Sequence, residues 1–197
     1  LSLGAWPLFV ASDEVKTVQN FETTTGQRSV ITLPDGTRVT MDSETEVRFT
    51  DLKHERSVNL IKGRAYFDVA ANPARPFVVH VNGKTVQAIG TMFEVSMNGD
   101  EIAVVLAEGK VRVEDVKRRG SAELTPGRKL VMRSDRQWTL RNVDVDKEIS
   151  WTDGRLIFMG ETLAHAISEV NRYSNRKIVF HGAHMPDQLL VGIFSAG

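Results

Sequence analysis

The alternation of apolar and polar residues between Ile61 and Val113 is the feature that most constrains the fold of this chain. Apolar residues occupy every second position in five successive runs, and a β-strand places such residues on one face. The runs are Ala65, Phe67 and Val69; Phe77, Val79 and Val81; Phe93, Val95 and Met97; Ile102, Val104 and Leu106; and Val111 and Val113. The period of two therefore predicts a series of strands, each with one apolar face.

Glycine-containing turn signals separate these runs and mark where the predicted strands end. Asn-Gly is the strongest short hairpin signal, because a type I′ turn needs positive φ at both central residues. The signals are Lys62-Gly63, Asn82-Gly83, Asn98-Gly99 and Glu108-Gly109. Short turns between neighbouring strands predict an antiparallel meander.

The strand pattern continues on both sides of this stretch. From residue 15 to residue 145, turn signals recur roughly every ten residues, among them Pro34-Asp35-Gly36 and Pro126-Gly127, and no helical pattern interrupts them. Further strands are predicted at Glu46–Thr50 and Ser57–Ile61. The predicted fold class is therefore mainly β, with an antiparallel β-sandwich or irregular β-barrel over residues 15–145.

A small βαβ-type module is predicted for residues 146–197. Its helix is indicated by apolar residues at helical spacing, with Thr162 or Glu161 suited to its first turn and Asn175 to its end. The spaced residues are Leu163, Ile167, Val170 and Tyr173, and the predicted strands are Arg155–Met159, Lys177–Phe180 and a candidate third at Leu189–Phe194. Such a unit needs another layer to bury its apolar face.

Residues 1–14 form a separate apolar start, LSLGAWPLFV, followed by polar residues. A membrane span needs about 20 apolar residues, so this run is too short to cross a bilayer by itself. No basic region precedes it, so it is not a complete signal peptide. Two interpretations stay open: the outer end of a transmembrane helix with Trp6 at the interface, or a first strand or disordered lead.

Composition excludes several classes of function. The chain has 25 basic and 25 acidic residues and no run of five or more Lys or Arg, so nothing favours nucleic-acid binding. It has no cysteine, which removes disulfides, thiolate zinc sites, thiol nucleophiles and iron–sulfur clusters.

No catalytic constellation, cofactor site or metal site is predicted. His181 and His184 lie three residues apart and His165 is a candidate neighbour in space, but ordinary surface histidines are the preferred interpretation. No nucleophile elbow or phosphate-binding loop occurs. Scattered carboxylates are interpreted as a solvated β face rather than a glycosidase pair; they are Asp35, Asp42, Glu44, Glu46, Asp68, Glu94 and Glu108.

A binding or signalling protein is thus favoured over an enzyme. One alternative stays open: a carbohydrate- or metal-binding β-sandwich, or an enzyme, that uses exposed carboxylates with aromatics such as Trp138 and Tyr66. A structural tether is a third.

A set of motifs in fixed order covers roughly residues 21–131. The motifs are TTTGQRSVITLPDGTRVTMDSETEV, VNLIKGRAYFDVAANPARPFVV, AIGTMFEVS, VVLAEGKVRV and LTPGRKLV. Together they resemble the FecR family of periplasmic regulators, which are anti-sigma factors that span the inner membrane. Residues 151–194 are similar to the small repeat shared by secretins and by the signalling domains of TonB-dependent receptors (STN-like). The second half of that repeat is missing after VGIFSAG, so the module is expected to be incomplete.

The resemblance implies a relay without enzyme activity. The expected partners are the periplasmic signalling domain of a TonB-dependent outer-membrane receptor, an extracytoplasmic-function sigma factor bound through a separate cytoplasmic domain, and the inner membrane. The expected location is the periplasm, tethered by a single N-terminal span. The expected signal is occupancy of the receptor by a siderophore-type ligand.

The last predicted strand is the expected contact with the receptor. A sheet edge accepts a partner strand by β-augmentation, and Leu190, Ile193 and Phe194 are the candidate side chains there. Arg172 and Tyr173 are candidate rim and anchor residues, because both residue types are enriched at binding hot spots. The alternative that Ile193 and Phe194 are core residues stays open.

Overall fold

The computed structural model describes residues 15–115, 117, 120–133, 138–182 and 187–196. The predictions for residues 1–14 and for His184 lie outside these ranges. Thirteen strands form one curled sheet. They are β1 Val15–Glu22, β2 Ser29–Thr32, β3 Arg38–Met41, β4 Glu46–Leu52, β5 Arg56–Asp68, β6 Phe77–Val81, β7 Lys84–Ala88, β8 Met92–Asn98, β9 Glu101–Glu108, β10 Val111–Asp115, β11 Gly120–Leu124, β12 Arg128–Met132 and β13 Trp138–Asn142.

Strand β5 joins the two layers of this curled sheet. One layer has the order β1-β4-β5-β6-β7-β10-β11 and the other has the order β2-β3-β5-β8-β9-β12-β13. The first half of β5 pairs with β4 and β6, and its second half pairs with β3 and β8. All of these pairings are antiparallel except β5 with β6. The predicted mainly β class is confirmed.

The turn predicted at Lys62-Gly63 is wrong, because Gly63 lies inside β5. The register between β4 and β5 shifts here, and Gly63 has φ +89°. A Cβ at this position would lie 2.3 Å from Oγ1 of Thr45. The glycine therefore marks a bulge where the strand bends from one layer to the other, and not a chain reversal.

The apolar faces of the two layers enclose one core. Phe67 of the second layer contacts Phe77 of the first at a centroid distance of 5.6 Å, and it contacts Phe93 at 5.2 Å. The alternating residues of the five runs are buried as predicted, apart from Met97, which is half-buried. The period of two thus positions the core.

A strand–helix–strand module follows the sheet and confirms that part of the predicted fold class. Its elements are α1 Val145–Glu148, a 3₁₀ turn Ser150–Asp153, β14 Arg155–Thr162, α2 Leu163–Asn171 and β15 Leu189–Ser195. β14 and β15 pair antiparallel, and α2 packs against them. We call residues 145–196 the C-terminal module and residues 15–142, which contain strands β1–β13 and their connections, the sheet region. The domain boundaries at residues 14/15 and 145/146 stay predictions.

Two local predictions in this module are wrong. Lys177–Phe180 is not a strand, because the side chain of Asn171 takes the backbone bonds that a neighbouring strand would take. Its Oδ1 accepts from the Ile178 N–H at 2.7 Å and its Nδ2 donates to the Ile178 carbonyl at 2.9 Å. Helix α2 ends at Asn171 rather than at Asn175, and the side chain of Thr162 caps its start as predicted.

Candidate protein interaction site

Strands β14 and β15 form a two-stranded antiparallel sheet, although helix α2 lies between them in sequence. We call this strand pair the hairpin, and its outer face is apolar and exposed. Opposed residues of an antiparallel pair share a face, and Met159 lies opposite Val191. The exposed fractions on this face are 65% for Met159, 68% for Leu189, 77% for Val191 and 66% for Ile193. An exposed apolar patch of this kind is typical of a protein interaction surface.

The inner face of the hairpin packs on a small second core. Leu156 and Phe158 of β14 are buried there with Trp151 and Ala166. Leu190 is partly buried against this core. The ring of Phe194 meets Phe158 edge-on at 5.6 Å.

The three candidate residues of β15 therefore differ in position. Ile193 points outward, Leu190 points inward, and Phe194 is packed against Phe158 while 43% exposed. The core interpretation thus does not hold for Ile193. Within the described residues, β15 pairs with β14 alone, so its other edge offers backbone groups to a partner strand.

Arg172 and Tyr173, the other two candidates, follow α2 and contact the sheet region. The Tyr173 hydroxyl donates to Oδ1 of Asp42 at 2.8 Å, and Nη2 of Arg172 lies 3.5 Å from Oδ2 of the same carboxylate. Burial raises the pKa of Tyr173, so its phenol stays protonated and donates. The Ser43 hydroxyl also donates to the Arg172 carbonyl at 2.6 Å.

Arg64 of β5 completes this contact from the sheet side. Its Nε donates to Oδ2 of the fully buried Asp42 at 2.8 Å, and its Nη2 lies 2.6 Å from the same oxygen in an ion pair. Nη2 also donates to the Tyr173 hydroxyl at 2.9 Å, and Nη1 to Glu169 at 3.2 Å. The guanidinium lies over the Trp151 ring at 4.8 Å, within the range of a cation–π contact.

Trp151 is fixed from a second direction by Glu94 of β8. Its indole Nε1 donates to Oε2 of Glu94 at 2.6 Å, and both side chains are buried. Burial raises the pKa of Glu94, although the Arg64 charge and the indole bond oppose that effect. We call these residues the junction cluster; its members are Asp42, Arg64, Glu94, Trp151, Glu169, Arg172 and Tyr173.

The sequence interpretation of Asp42 and Glu94 as solvated residues is wrong. Their exposed fractions are 0% and 3%, because the polar faces of β3 and β8 are covered by the C-terminal module. A signal was present in the sequence: the module needs a second layer to bury its apolar face, and a polar strand face is available to it.

A crevice of about 590 Å³ opens beside the junction cluster. Basic and acidic side chains along it are paired with each other, Lys129 with Glu148 at 2.7 Å and Lys147 with Glu161. Among the described residues, no three His, Cys, Asp or Glu side chains are grouped as a metal site would need. His181 is exposed. The arrangement is suited to holding two parts of a protein together.

No helix in the described part of the chain has the length and apolar character needed to cross a membrane. Residues 1–14, for which the end of a transmembrane helix or a disordered lead is predicted, lie outside that part.

Comparison with known proteins finds a family similarity for part of the sheet region. Residues 19–112 match the family described as FecR protein. The match begins within β1 and ends within β10, and it agrees with the resemblance given by the sequence motifs. No curated protein matches the chain.

Two crystal structures of a candidate anti-sigma factor from Parabacteroides distasonis share the fold beyond the FecR match. One, at 2.50 Å resolution, has a TM-score of 0.79 and 25% identity over 92% of this chain and 86% of that one. The other, at 1.65 Å, has a TM-score of 0.80 and 25% identity over 91% and 85%. Together with the FecR match, they support a regulatory role like that of an anti-sigma factor. Such a role is not enzymatic and implies protein partners in signalling.

Proposed function

We propose that this chain is the periplasmic part of an inner-membrane regulator of a sigma factor. It binds the signalling domain of a TonB-dependent outer-membrane receptor and relays occupancy of that receptor by a siderophore-type ligand. The relay reaches an extracytoplasmic-function sigma factor through a cytoplasmic domain, and a single N-terminal span tethers the regulator. The observation that carries the proposal is the exposed apolar face of the hairpin beside a FecR-like sheet region.

The outer face of the hairpin supports protein binding on energetic grounds. Four aliphatic side chains on this face are each more than 60% exposed, and no charged side chain lies among them on β15. Removing apolar surface from water contributes about 25 cal/mol per Å². A partner that covers this face therefore adds favourable free energy of binding, because these side chains are largely exposed to water in the isolated chain.

The free edge of β15 supports the same role on geometric grounds. A partner strand that pairs with this edge receives main-chain hydrogen bonds, while alternating side chains select the partner. Ile193 projects to the outer face and Leu190 to the inner one, so the side chains of a paired strand would lie beside both residues. Phe194 supplies a half-exposed aromatic ring at the end of the strand.

The work of such a relay is a coupling free energy between two binding events, and no bond is made or broken. The receptor domain changes the state of the periplasmic part, and that change alters the hold on the sigma factor. An account of this kind needs an element with two arrangements near the binding surface. The junction cluster is next to that surface, because Leu190 and Tyr173 pack on the same small core.

The first prediction is that Val191→Asp weakens binding of the receptor domain. Isothermal titration of this chain with the isolated signalling domain of the receptor encoded beside it should show saturable binding. The substitution places an unpaired charge on a face that the complex dehydrates, so the affinity should fall at least about tenfold.

Val18→Asp is the matched control for this titration. Val18 is 52% exposed on β1, which is also an edge strand, but it lies in the sheet region. This variant should bind as the unaltered chain does. Equal losses in the two variants, or full binding by Val191→Asp, would contradict the assignment of the hairpin as the binding surface.

A further inference from the structure

The two apolar cores of this protein are almost separate, and polar contacts join them. Among the described residues, the buried side chains of the large core belong to the sheet region. Those of the small core belong to the C-terminal module, and Tyr66 packs against them from the sheet region. Little apolar surface is therefore shared, and the attachment of the module depends on hydrogen bonds and ion pairs.

These polar contacts are numerous and geometrically specific. Arg64 reaches Glu169 and Tyr173, and its guanidinium stacks on Trp151. Two further bonds cross the junction through main-chain carbonyls, from Arg28 to Trp151 at 3.1 Å and from Ser43 to Arg172 at 2.6 Å.

Contacts of this kind fix an orientation without adding much net stability. The cost of dehydrating buried charges offsets most of their mutual attraction. Interfaces between parts of one chain that are polar in this way resemble transient protein interfaces. The module is thus held in one precise position by contacts that a competing partner can replace.

The candidate contacts Arg172 and Tyr173 are occupied in this arrangement. Both bind the carboxylate of Asp42, which is fully buried. A receptor domain that uses these two side chains must take them from Asp42. The surface proposed for the partner is therefore only partly available while the junction is intact.

We infer that the junction cluster is a lock, in which Asp42 and Arg64 hold Arg172 and Tyr173 away from the receptor domain until that domain binds. This inference rests on the function proposed above. In the locked arrangement the hairpin offers its outer face and edge, which allow a first contact. Full binding then exchanges the bonds to Asp42 for bonds to the partner, and the module moves relative to the sheet region. The lock is thus the two-state element of the relay.

Weakening the lock from either side should tighten binding of the receptor domain. Glu169→Gln removes the module-side charge that pairs with Arg64, and Ser43→Ala removes the sheet-side donor to the Arg172 carbonyl. Neither substitution alters Arg172, Tyr173 or the hairpin. By titration, each variant should lower the Kd at least about fivefold, because less free energy is spent in opening the lock.

Asp35→Asn is the matched control, because it weakens another buried ion pair without touching the junction. Asp35 pairs with the fully buried Arg56 at 2.7 Å inside the sheet region. It should lower stability and leave the Kd unchanged. An unchanged or higher Kd in Glu169→Gln and Ser43→Ala would overturn the inference.

Quenching of Trp151 fluorescence by acrylamide tests the lock without a partner. In a Trp6→Phe, Trp138→Phe background, Trp151 is the remaining tryptophan and is 1% exposed. The quenching constant of Trp151 should at least double when Glu169→Gln is added to this background. It should also at least double when the receptor domain binds the chain in which Glu169 is kept. If no variant binds the receptor domain, the proposed partner is wrong; unchanged quenching in Glu169→Gln would overturn the lock itself.

Discussion

The guanidinium of Arg64 carries five N–H donors in a rigid fork, and the structure uses them on both sides of the junction. Asp42 of the sheet region and Glu169 and Tyr173 of the module all bind this one side chain. A lysine could not reproduce the arrangement, because its ammonium group lacks the planar fork. Arg64 therefore helps to set the position of the module on the sheet, together with the contacts made by Glu94 and Ser43.

Glu94 makes this junction sensitive to pH. Its carboxylate is buried, and burial raises its pKa above the ordinary value of 4.5. Raising the pH past that value removes a proton from Glu94 in the unfolded chain before it does so in the folded one. The folded state then binds more protons than the unfolded state, so its stability falls as the pH rises.

The second prediction is that Glu94→Gln removes this loss. The glutamine carbonyl can still accept the bond from the Trp151 indole, but the side chain does not titrate. Urea unfolding of both proteins should be measured between about pH 4 and pH 8. The free energy of unfolding of the unaltered chain relative to Glu94→Gln should decline from about pH 4.5 upward and level off above the folded-state pKa. A difference that is constant or rises with pH would contradict the buried, proton-retaining carboxylate.

At the scale of elements, strand β5 determines how the sheet curls. It runs from Arg56 to Asp68 and belongs to both layers, and Gly63 lies at the bend between them. The backbone of Glu44 and Thr45 approaches Gly63 too closely to admit a Cβ. The long strand can therefore change layers only if residue 63 is a glycine.

The third prediction compares Gly63→Ala with Gly127→Ala. Both glycines have positive φ, +89° and +82°, so both substitutions carry the strain of a left-handed conformation. A Cβ at Gly63 would lie 2.6 Å from the Thr45 Cα, whereas nothing lies within 4 Å at Gly127. Gly127→Ala should cost about 1 kcal/mol in urea unfolding, and Gly63→Ala at least about 2 kcal/mol more. Equal costs would show that the bend yields easily.

Most strands could be predicted from the sequence because each depends on local information. Alternating residues such as Phe67, Val79 and Val104 occupy one face at a period of two, and that face is the core. The errors arose where a local signal has two meanings. Lys62-Gly63 indicates a turn or a bulge, and only the neighbouring strand β4 decides between them. The apolar run Lys177–Phe180 has strand character, but Asn171 takes its backbone bonds.

At the scale of the whole molecule, the need of the module for a second layer could be predicted, but the residues that attach it could not. Arg64 lies 105 residues from Glu169 and 109 residues from Tyr173 in sequence, and no local pattern connects positions so far apart. The exposed position of Ile193 likewise depends on which face of the hairpin packs inward. The match to the FecR family could be predicted from the sequence, because the motifs that carry it lie in the strands and turns of the sheet region.

The two parts of the molecule differ in how they are held together: the sheet region by a continuous apolar core, and its contact with the module largely by polar groups. The sheet region has a continuous core that spans both layers. The module has a small core, and its attachment to the sheet is largely polar. Binding energy applied at the hairpin is therefore expected to move the module and to leave the sheet region unchanged, because packed cores resist deformation while polar junctions can exchange partners.

The most direct measurement is hydrogen exchange of the chain alone and in complex with the receptor signalling domain, followed by mass spectrometry. Hydrogen exchange should be slower in the complex for Arg155–Thr162 and Leu189–Ser195, because the partner covers the hairpin. Exchange should be faster around Arg172 and Tyr173, where the lock opens, and unchanged in β6 and β7. Protection confined to the sheet region, with exchange in the hairpin unaffected, would contradict the proposal that the hairpin is the receptor-binding surface.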